Sequence, residues 1–214
     1  MKDAENIFRQ VNQSGVAGTI KGIVIISKKP DCFVAGADIK MLEKCKTSSE
    51  AEILSRQGHR FFDELEKAPI PVVAAIKGSC MGGGLELALA CHYRIAVNDK
   101  KTILSTPEVM LGLLPGGGGT QRLPALINPP DALQMVLMGK NIRPNKAKKI
   151  GLVDMLIQPL GPGLADSETN TLNYLEECAV SVAKKLAEKK MKIDRSRPLQ
   201  ERKYSLFEMF YFYS

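Results

Sequence analysis

Tryptophan is absent from the chain, and histidine occurs only twice. Neither His59 nor His92 stands at metal-ligand spacing from another donor, so both read as structural or exposed residues on helices. Ser79 and Cys80 have no histidine placed to activate them and read as turn and packing residues rather than nucleophiles. The five cysteines (Cys32, Cys45, Cys80, Cys91, Cys178) are odd in number and contain no Cys-x-x-Cys pair. That argues against a metal site or a disulfide framework and for a reducing compartment. No apolar run approaches the ~20 residues of a membrane span. The N-terminus carries neither a secretory apolar core nor an Arg/Ser-rich transit segment. Also missing are a Gly-rich loop ending in Lys-Ser/Thr, a Gly-x-Gly-x-x-Gly turn after a strand, and a Gly-x-Ser-x-Gly elbow. These gaps leave no sequence support for a nucleotide-phosphate loop, a dinucleotide fold or a serine hydrolase. The net charge is +7, but no aromatic–basic platform or helix-turn-helix pattern accompanies it, which argues against nucleic acid as a partner.

What remains is a chain of 214 residues, enough for one domain with a sizeable core, or one domain and a helical appendage. The basic clusters at Lys146–Lys149 and Lys184–Lys192 read as solvated helix faces, or as a site for an anionic ligand or membrane surface. Asp3 to Gln13 has a weak helical period. Gly22–Ser27 and Cys32–Val34 read as strands. Thr47-Ser48-Ser49-Glu50 has the capping-box form. The helix it opens carries Ile53, Leu54, Phe61, Phe62 and Leu65 toward one side and stops before Pro69. Val72–Ile76 is a buried strand, Leu85–Cys91 a buried helix, and Tyr93–Val97 and Thr102–Leu104 are further strands. Asp131–Met138 is helical, Pro144 can open a helix that Gly151 closes, and Val153–Ile157 is a strand. Ser167–Lys190 is a long helix with Leu172, Leu175, Val180, Val182 and Leu186 as its apolar positions. Alternation of this kind predicts an α/β fold with right-handed crossovers.

Chemistry concentrates at four places. Gly82-Gly83-Gly84 removes every Cβ where a helix begins, and Glu86 sits in the first turn of that otherwise apolar helix. Ala35-Gly36-Ala37 is a second small-residue bend, leading into Asp38-Ile39-Lys40. Glu108 follows Thr106-Pro107, and Gly116–Gly119 opens another helix. Two carboxyl groups sharing one water can act on it as general base and general acid. Two bends that each aim a backbone amide at one oxygen make an oxyanion hole, whose individual donors are worth about 2.7–4 kcal/mol in comparable enzymes. A carbonyl polarised in that way stabilises an enolate, so the chemistry is addition or proton transfer beside a carbonyl. Taken singly, each stretch also fits a plain turn or a capped helix.

Together they do more. Phe33-Val34-Ala35-Gly36-Ala37-Asp38-Ile39-Lys40, Gly82-Gly83-Gly84-Leu85-Glu86-Leu87-Ala88, Pro107-Glu108-Val109-Met110-Leu111-Gly112 and Pro115-Gly116-Gly117-Gly118-Gly119-Thr120-Gln121-Arg122-Leu123 resemble, in order, the motifs of the crotonase (enoyl-CoA hydratase/isomerase) family. The match runs from about Gly22 to Lys190 and looks most like the hydratase part of the trifunctional-enzyme alpha subunits. The resemblance implies a ββα spiral with C-terminal helices. It implies Glu86 and Glu108 as catalytic acids, and Ala37 and Gly83 as oxyanion-hole amides. It places Gly116 beside the water, and Ala35, Ala37, Asp38, Ile39 and Lys40 along coenzyme A. The implied reaction adds water to a trans-2-enoyl-CoA to give a 3-hydroxyacyl-CoA in fatty acid β-oxidation, with no metal or nucleotide cofactor. It further implies a homo-oligomer, or a hetero-oligomer with a thiolase subunit, possible membrane association, and a mitochondrial location in the matrix or at the inner membrane.

Against that pattern the chain is expected to lack the family's first strand and to be cut short at its far end. The expected organisation is a spiral core over 1–160, a truncated helical region over 161–203 and an atypical tail over 204–214. Two alternatives stay open: a Δ3,Δ2-enoyl-CoA isomerase, which needs only one proton-carrying acid, and an inactive chain that only binds acyl-CoA or partners.

Overall fold

Val72–Ile76 has no exposed side chain on either face, so its β-branched and small residues form a central strand rather than an edge. In the computed structural model it is β3, third in the chain, and lies second in a parallel four-stranded sheet of order β1-β3-β5-β7. The other members are β1 (Ile23–Ile26), β5 (Tyr93–Val97) and β7 (Met155–Ile157). A second, three-stranded parallel sheet takes β2 (Cys32–Val34), β4 (Ser79–Met81) and β6 (Ile103–Ser105) in the order β2-β4-β6. Successive strands therefore alternate between the two sheets, which is the expected ββα spiral. The structure describes residues 6, 8–11, 14, 18–36, 43, 45–163 and 165–193. The tail expected over 204–214 lies outside them, as does part of the helix expected over 3–13.

One strand was not anticipated. Ser79 and Cys80, read from sequence as turn residues, belong to β4. The turn before it is made by Gly78 at φ +76, where a Cβ would lie 2.1 Å from the carbonyl carbon of Asp31. Only glycine fits there, and it lets the chain leave one sheet and enter the other within two residues. Three residues carry no period strong enough to announce such a strand.

The helices are α1 (Ser48–Glu66), α2 (Gly83–Ala90), α3 (Gly119–Leu126), α4 (Pro129–Met138), α5 (Pro144–Ile150) and α6 (Ser167–Ala187), with a 3₁₀ helix at Pro107–Leu111. The capping box of α1 forms as predicted: Glu50 N–H donates to Thr47 Oγ1 at 3.2 Å and Thr47 N–H donates to Glu50 Oε2 at 3.3 Å. Phe61, Phe62 and Leu65 are buried on one face of α1, whereas Ile53, expected with them, is 54% exposed. Val180 of α6 also points outward, while Leu175 and Val182 are buried.

The alternation of β3 decides the layering. Val73 and Ala75 pack with Leu175, Ala179, Val182 and Ala183 of α6, so that helix covers one face of the larger sheet. Val72, Ala74 and Ile76 face the other way, into a core shared with Cys80, Leu85, Ala88 and Leu104. Arg94 on β5 is buried in that interior. Its guanidinium pairs with Asp154 at 3.2 Å and donates to the carbonyls of Ala88, Leu89 and Cys91, which satisfies the C-terminal end of α2. His92 is not on a helix, as expected from sequence, but in the bend after α2, where its Nδ1 accepts the Val72 N–H at 3.0 Å.

Candidate active site

Helix α2 starts where three backbones meet. A Cβ on Gly84 would lie 2.1 Å from the Val34 carbonyl oxygen, so the helix packs directly on the end of β2. Gly82 precedes it at φ +52, ψ −128, a conformation open to glycine, and its amide donates to Ser105 O at 2.9 Å. The Gly83 amide is the first of the helix's N-terminal donors, which have no carbonyl of their own helix to bond. The bend at Ala35-Gly36 runs alongside: the Cβ position of Gly36 lies 3.4 Å from Met81 O and 3.8 Å from Gly83 N. The two small-residue bends predicted to form one amide pocket thus come together. Gly83 is at the junction, while Ala37, Asp38, Ile39 and Lys40 lie outside the described residues.

Glu86, one turn into α2, is almost fully buried. Its Oε1 accepts two amides from the second glycine cluster, Gly117 N–H at 2.8 Å and Gly119 N–H at 2.7 Å. The cluster lies hard against the carboxylate. A Cβ on Gly117 would stand 2.8 Å from Glu86 Oε2 and 2.5 Å from Phe62 Cε2. With Oε1 saturated by two donors, Oε2 is the oxygen left for a reacting group.

Glu108 reaches the same place from the 3₁₀ helix. Its Oε1 lies 2.7 Å from the Cβ position of Gly82, and its Oε2 is buried without a hydrogen-bond partner among the described residues. Burial raises the Glu108 carboxyl above the ordinary carboxylate value, its own backbone N–H opposes that, and repulsion from Glu86 adds to the rise. A buried carboxyl whose environment favours its neutral form, beside a second one held by amides, is the arrangement expected of a proton-exchanging pair.

Gly116, expected beside a water, has its carbonyl accepting from Ser55 Oγ at 2.6 Å. The amides that hold Glu86 belong to Gly117 and Gly119, a role sequence reading did not assign. Arg122 was also missed. It donates to Gly117 O at 3.0 Å and pairs with Asp63 at 2.6 Å and Glu66 at 3.0 Å on α1. Asp63 and Glu66 stand more than fifty positions away along the chain, so no local pattern links Arg122 to them.

The model of the family described as enoyl-CoA hydratase/isomerase matches residues 3–213. Fatty acid oxidation complex subunit alpha of Shewanella amazonensis is 62% identical over 139 residues, 65% of this chain and 20% of that protein. The same subunit of Shewanella frigidimarina is 63% identical, again over 65% of this chain and 20% of that protein. The chain thus spans about one fifth of the length of the curated relatives it matches. A solved enoyl-CoA hydratase from Bacillus anthracis superposes with a TM-score of 0.73 at 31% identity, covering 87% of this chain and 65% of that one. These relatives are bacterial, which overturns the expected mitochondrial location. No helix of the described residues is long and apolar enough to cross a membrane.

Proposed function

The chain belongs to the enoyl-CoA hydratase/isomerase family, and on that footing we propose that it adds water across the 2,3 double bond of a trans-2-enoyl-CoA in fatty acid β-oxidation. The observation that carries the reading is the setting of the two acids around helix α2: Glu86 lies in its first turns, held by the Gly117 and Gly119 amides, and Glu108 Oε1 lies 2.7 Å from the Cβ position of Gly82 just before it. The thioester oxygen accepts the Gly83 N–H, with the Ala37 N–H as the second donor. Glu86 Oε2 takes a proton from water, whose oxygen bonds to C3, and the electron pair of the double bond moves toward the thioester oxygen. The enolate so formed is held by the fixed amides. Glu108, whose environment favours the protonated form, delivers its proton to C2, giving the 3-hydroxyacyl-CoA. Return of a proton from Glu86 to Glu108 restores the starting state.

Isomerisation needs only one of the two acids, so a paired arrangement favours hydration. Ala35, Asp38, Ile39 and Lys40 are the proposed contacts to the coenzyme A moiety, and Gly116 is a proposed neighbour of the water. The names of the relatives support membership in a fatty acid oxidation complex, and we read a thiolase subunit as the partner. Exposed Met110 of the 3₁₀ helix, Met138 of α4, which packs on it, and Leu114 beyond the end of the 3₁₀ helix supply apolar surface for such an assembly.

The test follows loss of the enoyl-thioester absorbance with short and long trans-2-enoyl-CoA, in wild type, Glu86→Gln and Glu108→Gln. Turnover by wild type that falls about 10²–10⁴-fold in each variant supports the reading. A folded wild type without turnover refutes it, and hydration lost in Glu86→Gln with isomerisation of a 3-enoyl-CoA intact assigns the isomerase instead.

A further inference from the structure

Between Pro115 and Thr120 the chain is all glycine, yet this loop supplies both donors to Glu86. With no side chains of its own, each peptide plane in it is free to rotate. Three of these planes are nonetheless held by their carbonyls. Gly116 O accepts from Ser55 Oγ at 2.6 Å and Gly117 O from Arg122 Nη1 at 3.0 Å. Gly118 O accepts from the amides of Gln121 at 3.1 Å and Arg122 at 3.0 Å in the first turn of α3.

A trans peptide is flat, with its C=O and N–H pointing in opposite directions. Fixing the Gly116 carbonyl on α1 therefore aims the Gly117 N–H away from α1, and Glu86 Oε1 lies in that direction at 2.8 Å. The Gly118–Gly119 plane works in the same way, with its carbonyl on α3 and its N–H on Glu86. The plane between them is set by Arg122, which is anchored in turn to Asp63 and Glu66. Ser55, Phe62, Asp63 and Glu66 are spaced at i, i+7, i+8 and i+11, one face of α1. That face is a template for a loop that cannot hold its own shape.

We propose that Ser55 is a positioning residue of the reaction. Its hydroxyl sets the plane of the Gly116–Gly117 peptide and so fixes the hydrogen bond that orients Glu86, with Arg122 setting the next plane. The kinetic part of the test rests on the hydratase reading; the spectroscopic part does not. In Ser55→Ala, kcat toward a trans-2-enoyl-CoA falls about tenfold or more, with KM within about twofold, because orientation rather than substrate binding is lost. Ser55→Thr, which keeps the hydroxyl, recovers most of kcat. The Gly117 amide proton, shifted downfield by its carboxylate partner in wild type, moves upfield in Ser55→Ala and exchanges about tenfold faster. If Ser55→Ala does not fold, Ser55→Cys, which keeps the volume and weakens the donor, is read in its place. An unchanged Gly117 resonance and exchange rate overturns the proposal. So does a loss of activity that Thr does not recover, or one that appears in KM. A wild type without turnover refutes the hydratase reading alone, and the Gly117 amide still decides this one.

Discussion

Gly82→Ala separates the two jobs that one glycine performs. The first is conformational: φ +52 with ψ −128 is closed to a side chain, and holding alanine there costs about 1–3 kcal/mol. The second is spatial. The new methyl would sit 2.7 Å from Glu108 Oε1, where ordinary contact begins at 3.4 Å, so the oxygen must retreat by about 0.7 Å (3.4 less 2.7). Gly36 Cα, at 3.7 Å, is already at contact distance and is not pushed. The end of a glutamate moves readily, so this second effect adds little to stability and acts mainly on the position of the carboxyl group. Misplacement on that scale costs about 10–100-fold in kcat. Urea unfolding followed by circular dichroism should show a loss of about 1–3 kcal/mol at unchanged m, and repeating the change in a Glu108→Ala background should leave nearly all of that loss. Turnover of a trans-2-enoyl-CoA should fall in the Gly82→Ala chain while it remains folded. Native stability together with native turnover would refute the geometry of both Gly82 and Glu108.

Glu108→Gln should raise thermal stability at neutral pH while removing activity. The folded state raises the Glu108 pKa, so it binds this proton more tightly than the unfolded chain does. Stability is therefore lost as pH rises from the unfolded value through the folded one, and the gain from the neutral amide should vanish at pH below the unfolded carboxylate value. A gain that grew on acidification would contradict the assignment. Arg94→Met leaves Asp154 and the carbonyls of Ala88, Leu89 and Cys91 without their buried partner, and should cost about 3–5 kcal/mol in chemical unfolding. A cost under about 1 kcal/mol would show that this pair contributes as little as a surface one.

The parts of this fold that could be read from sequence are those with a local cause. The Thr47/Glu50 cap, the β-branched run at Val72–Ile76, and the Pro144 and Gly151 ends of α5 each need only neighbouring residues to form. Strand β4 escaped notice because its three residues are specified by Gly78 packing on Asp31 rather than by a pattern of their own. Ile53 fits the apolar period of α1 but lies beyond the core that Phe61, Phe62 and Leu65 reach, so periodicity alone placed it on the wrong side. In the site, Glu86, Glu108 and Gly83 stood out because an acid beside a glycine turn is unusual chemistry. Their supports did not: Ser55 acts on a backbone carbonyl 61 positions away and Arg122 is anchored by acids more than fifty positions away, and an ordinary helical serine or arginine carries no mark of such a partner.

A crystal structure with a 3-hydroxyacyl-CoA bound puts the central claim to its most direct trial. The thioester oxygen should lie about 3 Å from the Gly83 nitrogen, with the 3-hydroxyl within hydrogen-bond reach of both Glu86 and Glu108. A thioester oxygen turned away from Gly83, or a 3-hydroxyl that either carboxyl group cannot reach, would contradict it.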